Sequence, residues 1–207
     1  MPFNIIDLGQ SDYLKSLEFQ ENILKKVFEG KQNDSIIFVE YEPIYTVGKN
    51  ANQDNIVTVP DKNIKIFDID RGGDVTYHGP GQLVGYPIIR LNKYQIGIKH
   101  YVNLVEQILI EVLAHFGISA HTKPKYIGVW VESEKIAAIG IRVQKGITKH
   151  GFALNVNTEL SYFENIIPCG IENCKMTSME TLLNKKNDLK LVQNIIVKSF
   201  NNHFHEL

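Results

Sequence analysis

Three runs rich in β-branched and aromatic residues, Ile127–Glu132, Lys135–Val143 and Ile147–Val156, stand almost end to end in the second half of the chain. The gaps between them, such as Ser133–Glu134, are far too short for a crossover helix. Parallel neighbours need a connection of about a dozen residues or more, so these runs pair as antiparallel hairpins. Further runs at Ser35–Glu40, Lys65–Ile69 and Gln82–Ile89 extend the pattern. Helical periodicity lies elsewhere. Tyr13, Leu14, Leu17, Leu24, Val27 and Phe28 follow Ser11, a candidate N-cap, and stop at Gly30. Ile98 to Phe116 repeats apolar residues at helical spacing and closes at Gly117. A third helix is predicted from about Leu189 to Phe204, and a shorter one from Ser178 to Asn184. Strands gathered together with helices set apart from them predict an α+β fold, a mixed, largely antiparallel sheet with flanking helices. No strand–GxGxxG–helix unit occurs, which argues against a Rossmann fold.

A chain of 207 residues buries enough apolar surface to need no disulfide or metal, and residues 1–207 are expected to form one domain. Its 22 basic and 23 acidic residues nearly cancel, so no chain-wide attraction to nucleic acid or to a membrane surface is expected. No apolar window reaches the length of a membrane span, and the start MPFNIIDLGQ lacks the pattern of a signal peptide. Cys169 and Cys174 do not make a disulfide framework, and no HExxH or paired-cysteine signature points to zinc. The expectation is a cytoplasmic monomer with free thiols and no bound metal.

The densest chemical signal is Arg71–Gln82, RGGDVTYHGPGQ, which reads as a glycine-rich loop. Such glycines let the backbone approach a ligand and present N–H groups to it; they also serve plain tight turns. The arginine and histidine beside them favour a binding loop. Cys169 sits between Pro168 and Gly170, where a turn can hold a thiol exposed. Most free cysteines are small buried hydrophobes, and a nucleophilic role needs a cation, because at a pKa of ~8.5 little thiolate exists at neutral pH. Cys174 has no such frame and reads as structural. Lys135 opens the strand KIAAIGIRV. A lysine there usually faces solvent; the alternative is the mouth of a pocket, paired with an anion. Strand alternation puts Lys135, Ala137, Ile139 and Ile141 on one face and Ile136, Ala138, Gly140 and Arg142 on the other. Ala137, Ala138 and Gly140 leave space beside the sheet, and HGFA at His150–Ala153 repeats the feature with Gly151 and Ala153.

Taken in order, RGGDVTYHGPGQ, KIAAIGIRV, HGFALNV and IIPCGI resemble the lipoyl(octanoyl) transferase family, and the resemblance covers nearly the whole chain. It implies the catalytic-domain fold of the biotin/lipoate-protein ligases. It implies transfer of an octanoyl group from acyl carrier protein to a lysine on lipoyl domains of oxoacid dehydrogenase E2 subunits and of the glycine-cleavage H protein, with no cofactor. The acyl-thioester cysteine then corresponds to Cys169 and its activating lysine to Lys135. Substrate binding falls to Arg71, Gly72, Gly73, Asp74, Val75, Thr76, Tyr77 and His78, to Ala138, Ile139 and Gly140, and to Gly151, Phe152 and Ala153. Tyr77 and His78 are expected to shape the pocket or orient Lys135. Oxyanion donors are expected among the amides of Gly72–Gly73, Cys169–Gly170 and Gly151. Arg71, Lys123, Lys125, Arg142, Lys145 and Lys149 are expected to form a basic rim for an acidic carrier. An ATP-dependent lipoate-protein ligase, a non-catalytic acyl-carrier-binding protein and a thioester hydrolase are the competing readings.

Overall fold

The short connections produce the meander they require. In the computed structural model, which describes residues 3–49, 51–52, 55–59, 64–171, 174–205 and 207, β8 (Tyr126–Val131), β9 (Glu134–Gln144) and β10 (Ile147–Asn155) pair antiparallel in sequence order. The sheet continues from β10 to β6 (Gln82–Ile88), β2 (Ser35–Glu40) and β1 (Asn4–Gln10), and ends beyond β8 at β7 (His121–Lys123). Only the β1–β2 pair in this sheet is parallel. A second sheet holds β3 (Ile44–Val47) between β4 (Lys65–Asp68) and β5 (Val75–His78), parallel to the first and antiparallel to the second. The mixed α+β expectation therefore holds.

Period-two alternation divides the large sheet into two cores. Ile36, Phe38, Leu83, Phe152 and Leu154 face helices α2 (Ile98–His115) and α4 (Leu189–His205). Their neighbours Ile37, Val39, Val84, Tyr86 and Ala153 face the other way, toward α1 (Tyr13–Phe28). No helix among the described residues is long and apolar enough to cross a membrane.

Several boundaries differ from the sequence reading. The N-cap of α1 is Asp12, whose carboxylate accepts from the N–H groups of Leu14 and Lys15; Ser11 lies one residue too early. Leu14 and Phe28 are exposed, and the buried face of α1 uses Ser16 and Gln20 instead. The expected short helix is α3 (Met179–Leu183), with Ser178 as its N-cap and left-handed Asn184 at its end. Four strands escaped the sequence reading: β1, β3, β5 and β7. The first is a largely exposed edge strand and β3 and β7 have four and three residues, while β5 lies inside the segment read as a loop.

The pairing of β8 with β9 contains a bulge. Val129 faces Ala137 and Trp130 faces Lys135, which leaves Ile136 as the extra residue on β9. Ile136 and Ala137 both enter the core beneath α2 and α4. Ala137 thus leaves no slot beside the sheet, contrary to its expected role, and Lys135 is released from the face that alternation assigned to it.

Candidate active site

The bulge aims Lys135 at the turn Pro168–Gly170. Its Nζ lies 3.1 Å from Sγ of Cys169, and the residue is 1% exposed. The expectation that a strand-opening lysine points to solvent therefore fails, and the pocket alternative stands. The Lys135 backbone is clamped on both sides: its N–H donates to Lys175 O and its carbonyl accepts from Thr177 N–H. The side chain lies across Gly128, a residue at φ +128° whose missing Cβ would stand 2.5 Å from Lys135 Cε. Gly128 N–H donates to Oε1 of Glu106, a buried carboxyl pushed up by desolvation, against which Lys135 acts. The Trp130 ring lies 5.5 Å from the Lys135 nitrogen.

Cys169 occupies the left-handed region, φ 59° and ψ 20°, and Gly170 follows at φ 66°. A cysteine is held there only when the surroundings impose it. Here Gly170 N–H donates to Ile167 O and Ile171 N–H to Pro168 O, while Ile167 N–H reaches Asn55 O. Asp74 backs the turn, accepting from Asn55 Nδ2 at 2.7 Å and from Val75 N–H at 2.6 Å. A Cβ on Gly170 would come within 2.6 Å of its carboxylate. Cys174 is half-buried; burial pushes its thiol up, and its Sγ makes a long contact to Lys175 O.

A cavity opens beside this pair. Arg71, Gly73, Asp74, Thr76, His78, Ala138, Ile139, Gly140, Gly151, Phe152, Ala153 and Cys169 line it, all of them expected residues. Gly72, Val75 and Tyr77 do not. Strand β5 explains the split: Thr76 and His78 face the cavity, whereas Val75 and Tyr77 alternate into a third core with Tyr45 and Phe163. Tyr77 stacks on Tyr162 at 4.9 Å and does not orient Lys135. Nor does His78 touch Lys135 directly: its Nδ1 bonds Gln82 Oε1 at 2.7 Å, and its Nε2 lies 3.4 Å from Thr46 Oγ1. The link is indirect. Gln82 Nε2 donates to Asn155 Oδ1, Asn155 Nδ2 to Thr177 O, and Thr177 N–H to Lys135 O.

Arg71 is buried, its guanidinium donating to Thr46 O, Thr46 Oγ1 and Gly72 O. Burial pulls its basicity down, and the neighbouring Cys169 is the largest opposing influence. Its side chain fills the space left by Gly140, where a Cβ would meet Arg71 Cδ at 2.9 Å. The gap at Gly151 is likewise taken, by the carbonyl of Gly85. Ala138 and Ala153 are the small residues that leave the cavity floor open. Two expected oxyanion donors are already engaged, since Gly72 N–H bonds Ile141 O and Gly170 N–H bonds Ile167 O.

Of the expected basic rim, Arg71 and Lys149 are buried, whereas Lys125 and Lys145 are exposed. Lys149 is buried and ion-paired with Glu21 and Asp70, and Arg142 pairs with Asp70. Lys123 lies 4.1 Å above the Trp130 ring and Lys145 4.6 Å above the Phe28 ring. His150 joins this cluster through a 2.7 Å contact between its Nε2 and Asp70 Oδ1. Burial lowers both His78 and His150 to about 4, so each is neutral at neutral pH. Sequence reasoning missed Tyr13, Ile69, Val84 and Tyr86 in the lining, and Thr46 behind Arg71. Alternation puts Val84 and Tyr86 on one face, but nothing local says that this face meets Cys169. Among the described residues, no cluster of three or more His, Cys, Asp or Glu is placed to hold a metal ion.

Comparison with known proteins gives the family and the fold. Residues 12–201 match the lipoyl protein ligase A/B catalytic domain. An octanoyltransferase of Alkaliphilus metalliredigens is 40% identical, over 99% of this chain and 96% of its own. A lipoate-protein ligase A crystallised with ATP superposes with a TM-score of 0.79 at 15% identity, over 99% of this chain and 86% of its own. The biotin protein ligase of Aquifex aeolicus gives a TM-score of 0.61 at 14% identity, over 100% of this chain and 70% of its own. The two structures share the fold expected from the sequence.

Proposed function

The chain belongs to the lipoyl protein ligase A/B catalytic-domain family, and on that premise we propose that it moves an octanoyl group from acyl carrier protein to a lysine of a lipoyl domain through a thioester on Cys169. Octanoyl transfer in lipoate synthesis is its activity. The observation that supports the route is the 3.1 Å approach of Lys135 Nζ to Cys169 Sγ at a lysine closed to water. A buried ammonium is costly without an anion beside it, and a buried thiolate is costly without a cation. Each supplies what the other lacks.

The thiolate attacks the carrier thioester, forming a new C–S bond and a tetrahedral oxyanion. Collapse breaks the carrier's C–S bond, and the leaving sulfur takes the proton of Lys135, which has lost its counter-charge. Neutral Lys135 then accepts a proton from the target lysine as that amine attacks the acyl-enzyme. The amide forms, the Cys169 sulfur leaves, and the ion pair is restored. Exchange between thioesters is close to isoenergetic and amide formation is downhill, so no nucleotide is needed. Arg71 adds positive charge to the cavity wall, and the amides of Gly73 and Cys169 are the oxyanion donors, since Gly151 lies inside the ladder of β10 with β9. Two partners meeting one thiol in turn predict ping-pong kinetics. Free thiols suit a reducing compartment, so we place the enzyme in the cytoplasm, with residues 1–207 as one catalytic domain.

An ATP-dependent ligase shares the fold but has no use for a cysteine facing a buried lysine. The test is intact mass after incubation with octanoyl-carrier protein and no nucleotide. Wild type is expected to gain one octanoyl group, Cys169→Ala none, and a lipoyl domain should discharge the adduct. Cys169→Ser is expected to lose essentially all turnover. Product that forms only with ATP overturns the proposal, and free octanoate in place of modified lipoyl domain identifies a hydrolase.

A further inference from the structure

The cavity floor runs across the strands. Ala138 on β9 faces Ala153 on β10, which in turn faces Val84 on β6. Neighbouring strands lie ~4.8 Å apart, so the row from Ala138 to Val84 measures about 10 Å. A stretched octanoyl chain fills such a span. Cys169 and Lys135 stand at the β9 end of the row. At the β6 end stands Tyr13, from the first turn of α1, a helix packed on β10 and β6.

Tyr13 borders two cavities at once. On one side it lines the cavity of Cys169 with Val84 and Tyr86. On the other it lines an outer cavity with Asp12, Tyr41, Glu42, Lys65 and Phe67. Among the described residues that line the two, Tyr13 alone is common to both. Its ring is not loose. It stacks on Phe67 at 4.8 Å and leans on Tyr41 at 5.4 Å, and the residue is 3% exposed. Its backbone is fixed by the Asp12 cap and by Ser16 Oγ, which donates to Tyr13 O at 2.8 Å.

We propose that Tyr13 sets the length of acyl chain the enzyme accepts, its ring forming the end wall that separates the acyl cavity from the outer one. This rests on acyl transfer through Cys169. A chain longer than octanoyl meets the ring. Without the ring, the two cavities join and the extra methylenes take the buried place that the ring occupied beside Phe67. With tryptophan in its place, the wall moves toward Cys169.

The test compares the rates at which the full chain takes up hexanoyl, octanoyl and dodecanoyl groups from carrier protein, read by intact mass. Each methylene that gains a buried place is worth about fourfold. Tyr13→Ala is expected to raise the dodecanoyl-to-octanoyl ratio at least about tenfold over wild type. Tyr13→Trp is expected to raise the hexanoyl-to-octanoyl ratio, and it carries the test if the alanine variant does not fold. Ratios within about twofold of wild type in a folded, acylated variant overturn the assignment, since one methylene alone is worth more. Wild type that takes up no chain from any carrier is a different result: it removes the thioester mechanism, and the length selection with it.

Discussion

Lys135 is closed to solvent, so its neighbours decide what it does. The bulge at Ile136 turns it toward Cys169, the 174–177 segment clamps its backbone, and Gly128 lets the side chain lie flat against β8. Gly128 is the most exacting of the three. An alanine there would adopt an unfavourable positive φ and bring its Cβ 2.5 Å from both Ala137 O and Lys135 Cε. Gly128→Ala is therefore expected to slow acylation of Cys169 about 100-fold, because small displacements of a reacting group cost that much. Single-turnover acylation measured beside a thermal melt checks it, and wild-type acylation in a folded variant contradicts it. The turn that holds Cys169 was legible in the sequence from its Pro–Gly frame, while the role of its thiol came only with the family resemblance. The orientation of the lysine was not, because strict alternation puts it with Ala137 and only the pairing register of β8 with β9 reveals the extra residue.

At the scale of elements, α1 does two jobs. It covers one face of the large sheet and presents Tyr13 at its first turn. The cap that fixes this turn is Asp12, not the Ser11 that the sequence favoured, since only Asp12 reaches the N–H groups of Leu14 and Lys15. Asp12→Ala is expected to cost about 1 kcal/mol, lowering Tm by about 2–4 °C. Ser11→Ala should leave Tm unchanged, because its hydroxyl makes a single long contact at the surface. Calorimetry of the two variants decides between the caps. Strand β5 shows why a glycine-rich stretch misleads. The glycines mark the turns on either side of Val75–His78, and the four residues between them form a buried strand whose alternation sends Thr76 and His78 to the cavity.

The whole molecule carries two histidines buried in neutral form. Burial holds His78 at about 4, with Gln82 opposing and Arg71 adding to the effect. Burial also holds His150 at about 4, outweighing the attraction of Asp70, with Lys149 and Arg71 adding to it. Between 4 and the ordinary 6.5 the unfolded chain binds protons that the folded one refuses, so stability rises with pH across that window. It is full above 6.5 and is lost as pH falls toward 4. Asp70, pushed up by burial but held to about 2 by His150 and Lys149, extends the loss from 3.8 downward. The urea midpoint is expected to fall steadily from neutral pH to about pH 4, and a flat profile contradicts it. By itself the sequence determined the antiparallel meander, because short covalent tethers allow no other pairing, and the helices, because their apolar periods are local. It also marked Cys169 by its turn. Only the tertiary structure decided which way Lys135 points, that Arg71 fills the gap at Gly140, that Lys149 is buried rather than on a rim, and that Tyr13 closes the cavity. The reason is range: periodicity and turn chemistry act over a few residues, whereas this site is assembled from strand registers and packing between segments far apart in the chain.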